Sequence, residues 1–200
     1  MSVAHGPPSP LAVETARGAT ALLIVDMISC WDFPDAGKLL PAAAAIAPRI
    51  ASLARRCKAR GVPVIYANDN RGRWRSDFAA LAELSLACGG AGAAVTAGLL
   101  PAHDDYFVLK PQQSAFVGTP LEQLLGVLQV RRLVVTGVAS DQCVLATALD
   151  ARMRGLEVVV PRDCSGTQTA RRHALFLAQC HDAFGIATTP GARLRLPGRR

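Results

Sequence analysis

Arg131-Arg132-Leu133-Val134-Val135-Thr136-Gly137-Val138-Ala139-Ser140-Asp141-Gln142-Cys143 carries an aliphatic run into a short turn of small and polar residues, and a helical pattern begins at that turn. The run is apolar throughout instead of alternating, so a strand made from it needs cover on both faces. That is the mark of an inner strand in a parallel sheet. Cys143 is thereby delivered to the first turn of a helix, where free N–H groups and the positive dipole end favour thiolate. A thiol so placed is expected to titrate below its ordinary value of about 8.5.

The same grammar extends in both directions. Short aliphatic runs at Ala21–Val25, Pro63–Ala67, Tyr106–Leu109, Leu133–Thr136 and Glu157–Val160, with a weak one at Ile186–Thr188, alternate with amphipathic stretches near 40–60, 76–88, 119–129, 140–154 and 168–183. Gly61 and Gly155 follow two of these stretches as helix stops, and Pro48 predicts a kink or split in the first. The expected fold is a single α/β domain: an open six-stranded parallel sheet with right-handed crossovers and helices on both faces, in a Rossmann-like three-layer arrangement. In such a sheet, ligands bind beyond the carboxyl ends of the strands, where strand order reverses.

Two hundred residues, half of them apolar, suffice for one well-buried domain and not for two. Residues 1–18 have no apolar period and read as a flexible leader, 19–190 as the domain and 191–200 as a basic tail. The net charge of +7 owes much to four arginines in the last eight residues, and Arg71, Arg73 and Arg75 flank a lone Trp74. Neither group makes a base-stacking platform, so nucleic acid is not expected as a partner. No apolar run matches a bilayer span and no signal pattern opens the chain, which predicts a cytoplasmic protein with no membrane contact. Six cysteines at 30, 57, 88, 143, 164 and 180 contain no CxxC pair and lie in no histidine cluster. They read as reduced thiols, without zinc or disulfides.

Three residues stand at strand ends. Asp26 follows Leu22-Leu23-Ile24-Val25, and a carboxylate there needs a cation or several donors beside it. Lys110 closes the third strand and is one of only three lysines beside nineteen arginines, which suggests a need for a compact ammonium. Cys143 follows the fourth. A thiol with a nearby base and cation is the layout for covalent attack on a carbonyl carbon.

Leu22 to Met27, Lys110-Pro111 with Ser114-Ala115-Phe116, and above all Gly137-Val138-Ala139-Ser140-Asp141-Gln142-Cys143-Val144 resemble the isochorismatase-like cysteine hydrolases, among them nicotinamidases, carbamoylsarcosine amidases and ureidoacrylate amidases. The resemblance runs from about Thr20 to Thr189. It implies a catalytic triad of Asp26, Lys110 and Cys143, a cis peptide at Val138–Ala139, and an oxyanion hole made by the backbone N–H groups of Ala139 and Cys143. It further implies hydrolysis of a C–N bond in a small amide, ureide or carbamoyl compound through a thioester. The alternatives are vinyl-ether or ester hydrolysis with Asp26 as the acid, or a degenerate member that only binds a small ligand. Relatives of the nicotinamidase kind place histidines after the second strand for a metal, whereas Asn68-Asp69-Asn70-Arg71-Gly72-Arg73-Trp74 has none. No metal or other cofactor is therefore expected, and nicotinamide is disfavoured. The family also implies a homo-oligomer.

Other residues are candidates for substrate contact. Trp31, in a segment from Ile28 that departs from the polar run usual in the family, is read equally as pocket wall or core. Asn68 and Asp69 follow a strand and can touch substrate, brace the triad or form a turn. Arg71 or Arg75 can meet a substrate carboxylate or simply face solvent, and Phe116 can line the pocket or pack in the core. None of His5, His103, His173 and His181 is placed like a catalytic base.

Overall fold

A computed structural model describes residues 20–70 and 77–197. The expected leader, Arg71, Arg75 and the last three residues of the expected tail lie outside the described residues. Six parallel strands form one sheet: β1 (Thr20–Val25), β2 (Val64–Asp69), β3 (Tyr106–Lys110), β4 (Arg132–Val138), β5 (Glu157–Val159) and β6 (Ser165–Gly166). The path is β3-β2-β1-β4-β5, with β6 paired to the far end of β4. Strand order reverses between β1 and β4, so the switch-point crevice opens beyond Val25 and Val138.

Alternate residues of β1 feed two separate cores. Leu22 and Ile24 pack beneath α1 (Ala36–Lys58), α2 (Phe78–Ala87) and α3 (Gly90–Gly98). Ala21, Leu23 and Val25 pack beneath α4 (Leu121–Val127), α5 (Leu145–Met153) and α6 (Ala170–Ala178). All six residues of β1 are buried, as a strand covered on both faces requires. Each large aliphatic side chain so buried contributes about 1.5–3 kcal/mol in transfer free energy.

Several expectations change. Helix α1 runs unbroken through Pro41 and Pro48 instead of splitting. Its buried stripe of Ile46, Ile50 and Leu53 outweighs the local cost of an interior proline, about 3 kcal/mol. The sixth strand is Ser165–Gly166, while Ile186–Thr188 contributes only an isolated bridge between Ala187 and Val159. The last expected helix is α6 followed by a π-helical turn, Gln179–Ala183. Helix α3 lies outside every expected helical stretch, because its Gly- and Ala-rich sequence has hardly any apolar period. The expected tail is not detached up to Pro197: Leu194 and Leu196 are buried, and Arg56 donates to the carbonyls of Gly191 and Leu194 at 2.7 and 2.9 Å.

Cys30 and Cys88 are joined by a disulfide, which corrects the reading of six reduced thiols. Their separation of 58 positions hides the pairing from a search for short motifs. The fold brings the loop after β1 against the C-terminal cap of α2, with Cα atoms 5.6 Å apart, within the ordinary reach of a bridge. Among the described residues no helix is long and apolar enough to cross a membrane.

Candidate active site

Gly137 decides how the crevice is built. It pairs in register with Val25, adopts φ 108°, and a Cβ on it would overlap the Val25 carbonyl oxygen. Only glycine lets β1 and β4 approach so closely just before their ends. Asp26 then turns out of β1 with φ 53°, its N–H held by the Ala67 carbonyl at 2.9 Å. From β4 the chain passes through a cis Val138–Ala139 peptide into a π-helical turn, Ser140–Val144, which leads into α5. Cys143 lies within that turn. A wide turn of this kind is a common feature of functional sites.

Lys110 closes β3, two strands away from β1, yet its stem reaches back across the end of β2. Its ammonium is completely buried and meets three acceptors: Asp26 Oδ2 at 2.9 Å, the Gln112 carbonyl at 3.2 Å and Cys143 Sγ at 3.5 Å. Asp26 Oδ1 accepts the N–H of Asp69 at 2.8 Å, and its carboxylate is also hydrogen-bonded to the Cys143 thiol. The structure thus brings acid, amine and thiol from three strand ends into direct contact.

Electrostatics departs from expectation at the sulfur. Burial, and then the neighbouring Asp26 carboxylate, push the Cys143 thiol up to about 12; Lys110 opposes them and does not prevail. The dipole of a helix start is outweighed because Cys143 sits inside a buried turn beside an anion. Burial also raises Asp26, against the pull of Lys110, of the Cys143 thiol and of the Asp69 N–H. For Lys110 burial works against the charge, and Asp26 with Cys143 overcomes it to leave the ammonium raised. Burial thus makes both the Asp26 carboxylate and the Cys143 thiolate more basic than usual, beside an ammonium whose charge the pair sustains.

Above the sulfur lies a cavity of about 590 Å³. Trp31, Phe33, Leu39 and Leu81 form its apolar wall, while Gln142, Gln168 and Arg172 contribute polar groups. Trp31 is both wall and core, since it lines the cavity at 9 % exposure and its indole edge rests on Gly92 of α3. Asn68 lines the cavity too, and its side-chain amide donates to the Ile28 carbonyl at 2.8 Å, bracing the loop after β1. Asp69 lines it and braces Asp26 as described. Phe116 does not line it: the ring is buried on the opposite face of the sheet, beneath the Arg154 guanidinium at 4.7 Å. The run Ser114-Ala115-Phe116 turns toward α5, where the Ala115 N–H donates to Thr147 Oγ1, so its aromatic residue joins the other core. Gln168 and Arg172 escaped the sequence reading because they follow β6, a strand only two residues long. The rule that sites lie after strands applies to them once β6 is recognised.

Comparison with known proteins bears on this site. Residues 20–190 match the isochorismatase domain. The chain is 39% identical over 150 residues to an uncharacterized isochorismatase family protein, YaaI, of Bacillus subtilis (strain 168), covering 74% of this chain and 81% of that protein. It is 27% identical over 158 residues to N-carbamoylsarcosine amidase of Arthrobacter sp, covering 73% of this chain and 59% of that enzyme. Among solved structures, an isochorismatase family protein from Desulfovibrio vulgaris superposes with a TM-score of 0.71 at 29% identity, covering 88% and 95% of the two chains.

Proposed function

Since this chain belongs to the isochorismatase family of hydrolases, we propose that it is a cysteine-dependent amidohydrolase, cleaving a C–N bond of a small amide, ureide or carbamoyl compound. The observation that carries the proposal is the contact among Asp26, Lys110 and Cys143 at the floor of the cavity. Amidases among the relatives support the same bond type.

In this reading Asp26 accepts the proton of the Cys143 thiol as sulfur attacks the carbonyl carbon. The negative charge moves to the carbonyl oxygen, which the backbone N–H groups of Ala139 and Cys143 receive. Collapse expels the amine, which takes the proton back from Asp26, and a thioester to Cys143 remains. Water, deprotonated by Asp26, then attacks the thioester and releases a carboxylic or carbamic acid with the regenerated thiol. Lys110 stays an ammonium throughout and keeps the carboxylate and the nascent thiolate from repelling each other. A basic carboxylate suits this cycle, because an ordinary one would accept a thiol proton less readily.

A screen of small amides and ureides for ammonia release tests the proposal, with Cys143→Ala and Asp26→Asn as controls. Turnover by the wild type that both variants abolish, with the fold intact, is the expected result. Activity surviving Cys143→Ala would reject the thioester route and favour acid catalysis by Asp26 on a vinyl ether or ester.

A further inference from the structure

Ser140 and His173 make a contact for which the proposed chemistry has no use. Ser140 Oγ lies 3.0 Å from His173 Nδ1, and His173 Nε2 lies 3.0 Å from the Arg162 carbonyl oxygen. A carbonyl only accepts, so Nε2 carries a proton; in the neutral ring Nδ1 then presents its lone pair, and the Ser140 hydroxyl donates to it. Both ring nitrogens are thus engaged in a single tautomer. The ring is also held against buried Phe176, with centroids 5.9 Å apart.

The neighbouring pair repeats the contact. Asp141 Oδ2 accepts from Arg172 Nε at 2.6 Å, and Asp141 Oδ1 accepts from Thr167 Oγ1 at 2.6 Å. Consecutive residues 140 and 141 of the π-helical turn are therefore tied to consecutive residues 173 and 172 of α6. That helix start is itself fixed, since Thr169 caps it by accepting the Arg172 N–H at 3.2 Å. A serine–histidine pair also invites a reading as nucleophile and base. Ser140 has 0 % exposure, so no substrate carbonyl reaches its oxygen, and that reading fails.

We infer that His173 is a positioning residue, latching the turn that carries Cys143 to α6 through the Ser140 hydroxyl. This rests on the amidohydrolase reading, because what the latch positions is the pair of N–H groups at Ala139 and Cys143 that meets the oxyanion. The benefit is confined to the transition state: a displaced turn still admits substrate and still presents a sulfur, but aims its N–H groups away from the developing charge.

The test measures kcat, KM and the rate of Cys143 alkylation by iodoacetamide, a displacement that forms no oxyanion. With the best amide from the screen, His173→Ala is expected to lower kcat roughly 10- to 100-fold, the scale of a misplacement near 1 Å. KM and the alkylation rate are expected to stay within about 2-fold, since neither depends on an aimed oxyanion hole. His173→Asn, whose Oδ1 can replace the Nδ1 acceptor, is expected to recover most of kcat. Ser140→Ala should match His173→Ala, and the double variant should be no slower than either single one. Should His173→Ala fail to fold, the Ser140→Ala and His173→Asn comparison decides the matter. An unchanged kcat in Ser140→Ala overturns the latch alone if the wild type hydrolyses amides through Cys143. A fall in kcat that asparagine does not rescue also overturns it. A wild type that leaves every amide intact overturns both this inference and the reading beneath it.

Discussion

Lys110 Nζ stands 2.9 Å from Asp26 Oδ2 although Lys110 closes β3 and Asp26 follows β1, strands that are not neighbours. The ion pair crosses the end of β2 with its ammonium wholly enclosed, so each charge depends on the other for its solvation.

Removing the ammonium by Lys110→Met leaves a largely buried carboxylate without its cation. The variant is expected to lose about 3–5 kcal/mol of stability, the usual cost of breaking such a pair. Adding Asp26→Asn removes the orphaned charge and should return much of that loss, while neither variant turns over substrate. Urea unfolding of the two variants checks this, and a Lys110→Met single variant as stable as the wild type would refute the pairing.

Alkaline pH should weaken the fold. Burial raises the thiols of Cys57 and Cys164 to about 12 and that of Cys180 to about 11, and Cys143 stands at about 12. Their folded values exceed their unfolded ones, so between about 9 and 12 the folded state holds more protons and stability falls as pH rises. Lys110 acts in the same sense: its contribution is complete below 10.5 and fades as pH climbs through its raised folded value. Urea midpoints should be level with respect to these groups from pH 7 to about 8.5 and decline from about 9 upward. A profile still level at pH 11 contradicts the assignment.

At Gly137 a single methyl group should be ruinous, since it meets the Val25 backbone and demands a positive φ. Gly137→Ala is expected to cost about 4 kcal/mol or more and to abolish activity. Gly126, inside α4, meets nothing within 4 Å, and alanine there should gain up to about 1 kcal/mol. Thermal melts of the two variants should move in opposite directions.

The Cys30–Cys88 bridge closes a loop across 58 positions, for which chain entropy gives at most roughly 4 kcal/mol. Cys88→Ser should lower the melting temperature, a dithiol reductant should do the same to the wild type, and the reductant should add nothing to the variant. A wild-type melt insensitive to reductant, with the bridge shown to be open by thiol titration, would contradict a stabilising role.

The sheet was readable because its strands are apolar on both faces, a pattern that Leu22–Val25 and Leu133–Thr136 display without ambiguity. Its sixth member was not, because Ser165–Gly166 is joined to β4 by position and carries no strand-like residues. The acid, amine and thiol were legible for the same reason as the sheet: each follows a strand that announces itself. What lay beyond reach was tertiary. The Cys30–Cys88 pairing, the burial of Phe116 in the other core and the elevated Cys143 thiol all depend on neighbours distant in the chain. No local pattern encodes a neighbour's carboxylate, and at Cys143 that carboxylate helps reverse the effect expected of a helix start.

Trp31 rests on Gly92 of α3 and is flanked by the half-cystine at 30, whereas the three groups proposed to react follow or close β1, β3 and β4. The apolar wall at Trp31 and the sulfur with its two partners are thus separately fastened parts of the molecule. On the amidohydrolase proposal, descendants of this sequence are expected to exchange one clientele for another by remodelling the helical shoulder, with the sulfur and its two attendants left untouched.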